Sequence, residues 1–579
     1  MDARSSEAAL DSSAPYYSRH WLVDASLFLA LAGVLYAIIA VAQEWSSPLQ
    51  ATAKIDLSPW SLPQYTMYSL MRGWIAYGFS LAFTIAYASW AFYDRSAQRF
   101  LLPLLDIMQS IPVLGFLPGL VLALVHLFPT NNVGLELACV LMIFTGQVWN
   151  MTFAYYDSLR AIPDDHRALA RLYGFTWWQR FWKMELPFGA QNLLYNSMVS
   201  MAGGWFFLTI NEAFMLGDKD FRLPGIGSYM SVAIEQNNIS AQIYAIIAMA
   251  VMIISVDRLV WWPLVVWSRK FKLDDFSSGP SEKSALALWL ARSSLSHWGE
   301  SITSRIFTWI VPPVRPPTEA QSITVPARGV AQSTGHVLLM LAVAVAAIAG
   351  AWQLFGLLNR VEWEDWKEIA HTSTLSLGRV LAAVALGSLW AVPVGVWIGL
   401  NPAVSGRMQP IIQFAASFPA PMIYPWLLGM VLAAGGTLES GSILLLLFGT
   451  QWYILFNVAA SAGAVPNEII SAASIMQLKG TRYWTRFILP AVFPGLVTGW
   501  ITAAGGAWNA TIVAEYIRAG GHVYTATGLG AVISLATEKG DFPKLAAAVT
   551  VMAAIVVVFN RTVWRRLQAY ANDRCRFGM

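Results

Sequence analysis

Four ionisable residues stand in or at the edge of long apolar runs: Arg72 and Glu212, and Arg379 and Glu515. A charge at membrane depth is costly and faces a partner or a cavity, so the chemistry they offer is ion pairing rather than bond cleavage. The expected pairs are Arg72 with Glu212 and Arg379 with Glu515, acting as helix locks or as a gate. Trp205 and Trp508 precede those glutamates at one spacing and are candidates to face each other across a pathway, or to pack at the small residues beside them. Gln109, Ser110 and Ser417 lie beside Pro112 and Pro419, where a helix should break. Broken backbone at membrane depth is tolerated only where protein or a cavity satisfies it, so these three are candidates to face a solute. No catalytic residue is expected: HExxH and GxSxG are missing, and the 7 His are scattered without metal-ligand spacing, which predicts no metal site. A GxxxxGK[ST] phosphate loop is missing too, so this chain binds no cofactor of its own in this reading.

A second kind of chemistry, protein docking, is suggested by two loops. The first reads Pro163-Asp164-Asp165-His166-Arg167-Ala168-Leu169-Ala170-Arg171-Leu172-Tyr173-Gly174 and ends in Glu185-Leu186-Pro187. This predicts a short helix stopped at a glycine, then a second piece that re-enters the membrane at a proline. The other has Pro466-Asn467-Glu468, then Ser471-Ala472-Ala473, and ends in Ile488-Leu489-Pro490 at the same proline-to-proline spacing. Small residues on a short exposed helix let another protein approach closely.

The elements that position these groups follow from composition. The chain has 579 residues, 56% hydrophobic and only 12% charged, against about 25% charged in soluble domains. A soluble enzyme is excluded, and the scattered loop cations argue against nucleic acid. Apolar runs of helical length fall at about Trp21 to Val41, Thr66 to Phe92, Phe100 to Leu127, Gly134 to Tyr156, Gly189 to Phe214 and Ala241 to Trp267. They return at His336 to Leu358, Ser373 to Gly399, Arg407 to Ala433, Thr437 to Ala459, Val492 to Ile517 and Lys544 to Val563. The fold class is thus an all-α polytopic membrane protein of about twelve crossings, with no signal peptide expected ahead of the first.

The two sets are copies. Gly146, Trp149, Pro163, Leu186, Pro187, Gly203, Trp205, Glu212, Gly225, Gly227 and Arg258 recur at a single offset as Gly449, Trp452, Pro466, Leu489, Pro490, Gly506, Trp508, Glu515, Gly528, Gly530 and Arg561. Six crossings per copy make the repeats parallel, enclosing a pathway between them. The loops richer in Lys and Arg, such as those with Arg160, Arg167, Arg171, Arg180 and Lys183 or Lys479, Arg482 and Arg486, should be cytoplasmic, which places both termini inside. Residues 269–333 read as a cytoplasmic linker with Pro280, Pro312, Pro313, Pro316, Pro317 and Pro326. Within it Ala285 to Ile310 has the pattern of a helix lying on the inner leaflet. The expected organisation is 1–65 tail, first crossing and outer loop; 66–268 first domain; 269–333 linker; 334–372 opening crossing of the second half; 373–567 second domain; and 568–579 basic tail.

The docking loops resemble the coupling loops of the permease subunits of ABC importers: Glu-Ala-Ala, three residues, Gly, nine residues, Ile, one residue, Leu-Pro. Ala168, Ala170, Gly174, Met184, Leu186 and Pro187 match that spacing, as do Ala472, Ala473, Phe487, Leu489 and Pro490. Ala168 and Ser471 stand where the family has Glu, and Gln477 where it has Gly, with Gly480 three residues later. With Arg72 and Arg379 after Ser69 and Ser376, and Gly225-Ile226-Gly227 and Gly528-Leu529-Gly530 in the outer loops, the chain is similar to the nitrate, sulfonate and taurine importer permeases, two domains fused. The resemblance implies two copies of a separate ATPase that hold ATP and Mg, an external solute-binding protein, and a small anion of the nitrate, sulfonate, taurine or bicarbonate type as cargo in a bacterial inner membrane. A proton-coupled secondary transporter with two six-helix halves is the competing expectation, and it leaves the duplicated Leu-Pro loops unexplained.

Overall fold

A computed structural model describes residues 21–48, 53–110, 112–216, 219–271 and 334–575, with Arg305 and Thr308. The inner-leaflet helix expected over Ala285 to Ile310 therefore lies almost wholly outside the described residues.

Among the described residues eight helices are long and apolar enough to cross a membrane. In the first half they include Pro59–Tyr93, Val133–Ala161, Trp177–Asn211 and Ile239–Ser268, and in the second Trp363–Leu400, Leu438–Gly463, Gly480–Ala514 and Phe542–Arg574. The helices Trp21–Ser46 and Thr334–Leu358 open the two halves. At 1.5 Å per residue, helices of 26 or more residues reach beyond the roughly 30 Å hydrocarbon layer.

The third crossing of each half is broken, and the break has a local cause. A residue before proline is pushed out of the helical region, and Phe418, ahead of Pro419, is extended at φ −73° and ψ 126°. One piece runs Pro402–Ser417 and the next Tyr424–Ala433. In the first half the pieces are Arg95–Ser110 and Leu117–Leu127, with Pro112 extended between them. A backbone N–H freed at the first break, that of Val113, donates to Asn509 Oδ1 at 2.8 Å, a side chain on the fifth crossing of the other half.

The all-α fold class holds, and the ends of the two fifth crossings differ from the boundaries expected. Each fifth crossing stops three residues earlier than its apolar run suggests, at Asn211 and Ala514. The chain then forms an antiparallel hairpin: β1 (Ala213–Leu216) with β2 (Lys219–Arg222), and β3 (Tyr516–Ala519) with β4 (His522–Thr525). Phe214 and Ile517, assigned to crossings on composition, are therefore strand residues. The helices Ile226–Glu235 and Leu529–Lys539 follow.

The chain divides into two compact units that do not coincide with the sequence halves. Among the described residues, one holds those within 21–42, 157–195 and 255–271, and the other those within 43–156, 196–254 and 334–575. Within the second unit, helices pack through missing side chains. A Cβ on Gly399 would come within 2.4 Å of the Ala459 carbonyl oxygen, and one on Gly495 within 1.8 Å of Ser461 Oγ. Small residues of this kind let membrane helices approach closely where no hydrophobic force favours one apolar surface over another.

Candidate functional site

The buried charges assemble where four elements meet. Arg72, on the helix Leu62–Tyr93, donates from Nη1 to Glu212 Oε1 at 2.8 Å and to the Pro224 carbonyl at 2.8 Å. Its other edge is forked onto Glu136, Nε to Oε2 and Nη2 to Oε1, each at 2.6 Å. Sequence reasoning missed Glu136, which opens the fourth crossing. Its signal was available, because Glu136 and Glu439 stand at the repeat offset. A planar guanidinium suits this double duty, since it presents donors along two edges at once.

Glu212 is held as closely as it holds. The Ser69 hydroxyl donates to Oε1 at 2.6 Å, the Gly227 N–H to Oε2 at 2.7 Å, and the Ile226 N–H to Ser69 Oγ at 2.9 Å. Ser69, Arg72, Glu136 and Glu212 are all fully buried. The glycines of the Gly225-Ile226-Gly227 run are required by closeness. A Cβ at Gly225 would lie 2.3 Å from the Glu212 carboxylate, and one at Gly227 would lie 2.5 Å from the Thr209 carbonyl oxygen.

The second half repeats the plan. Arg379 Nη1 donates to Glu515 Oε1 at 2.9 Å and to the Thr527 carbonyl at 3.0 Å, and Nη2 pairs with Glu439. Ser376 donates to Glu515, Gly530 N–H donates to Glu515 Oε2 at 2.8 Å, and Leu529 N–H donates to Ser376 Oγ at 2.8 Å. One difference is plain: the Glu136 side chain is 0% exposed and that of Glu439 is 48% exposed. Glu439 also accepts from the Thr527 N–H and hydroxyl at 2.7 Å each. Both expected ion pairs are thus present, each inside a three-member cluster.

Near the hairpins, Arg222 on β2 bonds Asp220 at 2.5 Å and Glu235 at 2.7 Å. Burial works against its charge, but these two carboxylates outweigh that and raise its pKa. Arg518 on β3 pairs with Glu538 and lies beside Tyr516, and all three border a cavity of about 300 Å³ with Asp220 and Glu235.

The docking loops fold as short helices closed by left-handed turns. Asp164–Leu172 ends with Gly174 at φ +59°; the Phe175 N–H returns to the Ala170 carbonyl at 2.9 Å and the Gly174 N–H to Arg171 at 3.0 Å. This double closure satisfies the last carbonyls of the helix. Asn467–Ile475 closes in the same way, Leu478 to Ala473 at 3.2 Å and Gln477 to Ser474 at 3.0 Å. Gln477 adopts φ +50°, so the turn survives loss of the glycine by placing an L-residue in the left-handed region. That conformation costs about 1–2 kcal/mol. Gln477→Gly should therefore raise thermal stability by about 1 kcal/mol after the entropy of the freer unfolded chain is counted, while Gly174→Ala lowers it. Unfolding of the purified variants in detergent checks this, and a Gln477→Gly chain less stable than the parent would contradict it.

The Leu-Pro pairs also have a structural reading. Before Leu186-Pro187 the helix widens into a π-turn, Phe181–Glu185, with the Leu186 N–H bonded to the Phe181 carbonyl. Before Leu489-Pro490 the same occurs over Trp484–Ile488, with Leu489 bonded to Trp484. Proline has no N–H for the carbonyl four residues back and crowds it, and a wider turn relieves that conflict inside a continuous helix. Ala170 and Ala473 are buried, while Leu169, Leu172 and Tyr173 are exposed, as are Ile475 at 80% and Met476 at 73%.

A further cavity, of about 190 Å³, lies where the broken third crossings meet the fourth and fifth crossings of both halves. Gln109 lines it, and Ala416 and Phe418 flank buried Ser417 on its border. Its walls pair by the repeat offset, yet not identically: Trp149 corresponds to Trp452, Asn150 to Tyr453 and Phe206 to Asn509, while the counterpart of Ser200 is Ala503, which is buried off the cavity.

The family model described as the binding-protein-dependent transport system inner membrane component matches residues 75–262 and again 391–576. The chain belongs to this family. It carries two of these inner membrane component domains in tandem, and the boundaries of both matches enclose a docking loop and a Gly-x-Gly run. The bicarbonate transport system permease protein CmpB of Synechococcus elongatus is 26% identical over 198 residues, 34% of this chain and 66% of its own length. The nitrate import permease protein NrtB of Leptolyngbya laminosa is 24% identical over 198 residues, again 34% and 66%. The taurine transport system permease protein TauC of Escherichia coli K12 is 28% identical over 211 residues, 36% and 72%. The chain therefore spans just under two thirds of the length of the first two relatives.

In this inner membrane component, the packing beside small residues considered from sequence for Trp205 and Trp508 is the arrangement seen at Trp205. Trp205 is buried against the second crossing, where a Cβ on Gly73 would meet its ring at 2.8 Å. Absence of that Cβ makes the slot the indole fills. Trp508 is also buried and borders a void of about 50 Å³ with Gln109 and Pro112. Ser110 closes the helix piece Arg95–Ser110.

Proposed function

We propose that this chain is the complete pair of membrane halves of an ATP-driven importer, with one copy per complex, carrying a small anion of the nitrate, sulfonate, taurine or bicarbonate type. ATP and Mg are bound and the ATP is hydrolysed on two copies of a separate ATPase at the cytoplasmic face, and an external solute-binding protein delivers cargo. In this reading both termini are cytoplasmic in a bacterial inner membrane, and the permease domains run over about 66–268 and 373–567.

The observation that carries the reading is the pair of docking loops. Both present apolar side chains on a short helix, both close in the same left-handed turn, and both re-enter through a π-turn set by Leu-Pro. Exposed apolar groups on so small an element mark a partner's contact, and their duplication calls for two equivalent partners. Ala168, Ala170, Gly174, Leu186, Pro187, Ala472, Ala473, Gln477, Leu489 and Pro490 form these contacts or the turns that present them. The names of the relatives support the anion, since bicarbonate, nitrate and taurine all bear an anionic group.

Affinity purification of the tagged chain from its native membrane, followed by mass spectrometry, tests this. The expected result is an ATP-binding subunit at about two copies per chain, with uptake lost on ATP depletion. The chain recovered alone, with uptake lost only when the proton gradient collapses, would replace this reading with a secondary transporter.

A further inference from the structure

We propose that the cavity of about 190 Å³ at the helix breaks is a solute-binding site of the pathway, and that it takes a small oxoanion through uncharged N–H and O–H donors. The inference rests on the permease reading and adds to it a site within the membrane that discriminates by charge and size.

Two polar groups carry the argument. Ser200, 1% exposed, and the Trp149 indole both line this cavity, and neither Ser200 Oγ nor Trp149 Nε1 has a hydrogen-bond partner among the described residues. Buried polar groups are nearly always paired, and leaving one unpaired costs about twice what a hydrogen bond contributes. An indole N–H can only donate, so its partner must accept. Thr145 and Thr502 turn their hydroxyl protons to the carbonyls of Met142 at 2.7 Å and Thr498 at 2.9 Å. The Trp149 and Trp452 indoles, Ser200, the Tyr453 hydroxyl and the amides of Gln109 and Asn150 supply N–H and O–H donors on its walls.

The rest of the lining defines the ligand class. No Asp, Glu, Lys, Arg or His is among the residues lining the cavity. A carboxylate there would repel an anion, whereas a fixed cation would hold it too long to be released. Neutral donors give the intermediate strength that conduction through a site requires. The volume is below the roughly 300 Å³ at which pockets for drug-sized ligands begin, which limits cargo to a few heavy atoms. Gly505, on the wall, has nothing within 4 Å of where a Cβ would stand, so a larger residue there fills the space without displacing a neighbour.

The test uses thiol chemistry on the full chain and needs no partner. Cys139 is buried and Cys575 lies near the tail, so Cys575→Ser is the parent and supplies the blank. Ser200→Cys in that parent is treated with an anionic methanethiosulfonate sulfonate and with its cationic trimethylammonium analogue, each rate divided by that for a free thiol. The expected result is an anion rate at least tenfold the cation rate, slowed by sodium nitrate but not by choline gluconate. Equal rates, faster cation labelling or no labelling by either would overturn the site. In uptake assays Trp149→Phe should lower maximal rate about tenfold, and Gly505→Leu should block uptake while leaving the purified chain as stable as the parent. Normal uptake by both variants, still dependent on ATP, would overturn the site and leave the importer standing. Anion-selective labelling in a chain that purifies without an ATPase would instead count against the importer reading on which the proposal depends.

Discussion

Arg72→Ala is expected to cost about 3–5 kcal/mol of folding stability, and Arg379→Ala distinctly less. Removing Arg72 leaves two carboxylates, Glu136 and Glu212, inside protein with no exposed surface. Glu212 keeps Ser69 and Gly227 as donors, but Glu136 loses both of the bonds that fork onto it. Breaking a buried pair from one side is the expensive case, since the remaining charge has neither water nor partner. The equivalent loss at Arg379 leaves Glu439, half exposed and still holding Thr527 through two bonds. Unfolding of the two purified variants, read as the loss of monodisperse folded chain, gives the comparison directly. Equal losses, or a greater loss at Arg379, would show that exposure of Glu439 does not relieve its cluster.

Exchanging the charges should not repair the damage. If Arg72 and Glu212 formed a simple pair, Arg72→Glu combined with Glu212→Arg would restore what either change removes. The geometry predicts the opposite. A glutamate at 72 would face Glu136 across the space the guanidinium now bridges at 2.6 Å, and like charges in a dry interior repel strongly. An arginine at 212 would meet the Gly227 N–H, a donor that needs an acceptor, and a site with no room beyond Gly225. The double variant is expected to accumulate no better than Arg72→Glu alone, with uptake below detection in both. Recovery to even half of the parent's uptake would mean that Glu136 contributes little and that the cluster works as a pair.

These contrasts also show which parts were legible in the sequence. Arg72, Glu212, Arg379 and Glu515 stood out because each interrupts an apolar run and each recurs at the repeat offset. Glu136 and Glu439 share that offset but sit at the start of their runs, where an acid in the first helical turn ordinarily reads as a solvated end. The hairpins were hidden for a different reason. Four-residue strands such as β1 and β3 continue the apolar run of the helix before them, and periodicity cannot separate so short an element. The helix breaks were legible because proline acts through local geometry. Packing of Trp205 at small residues was one of two placements open from sequence, but the slot itself was not legible, because it is created by a missing Cβ on Gly73, a residue remote in sequence. At Gln477 the sequence registered a departure from glycine, but only the structure shows that the hydrogen bonds of the turn hold the left-handed conformation regardless.

The unequal walls of the inner cavity carry a consequence for how such a protein changes over generations. Where two identical chains enclose a pathway, every substitution appears twice, on opposite sides, and a change that helps on one wall is imposed on the other. Here Ser200 faces its task without a second serine at 503, and Asn150 without a second asparagine at 453. Each half can therefore drift separately, so that one lineage could retune cargo by single steps on one wall while the opposite wall preserves the passage.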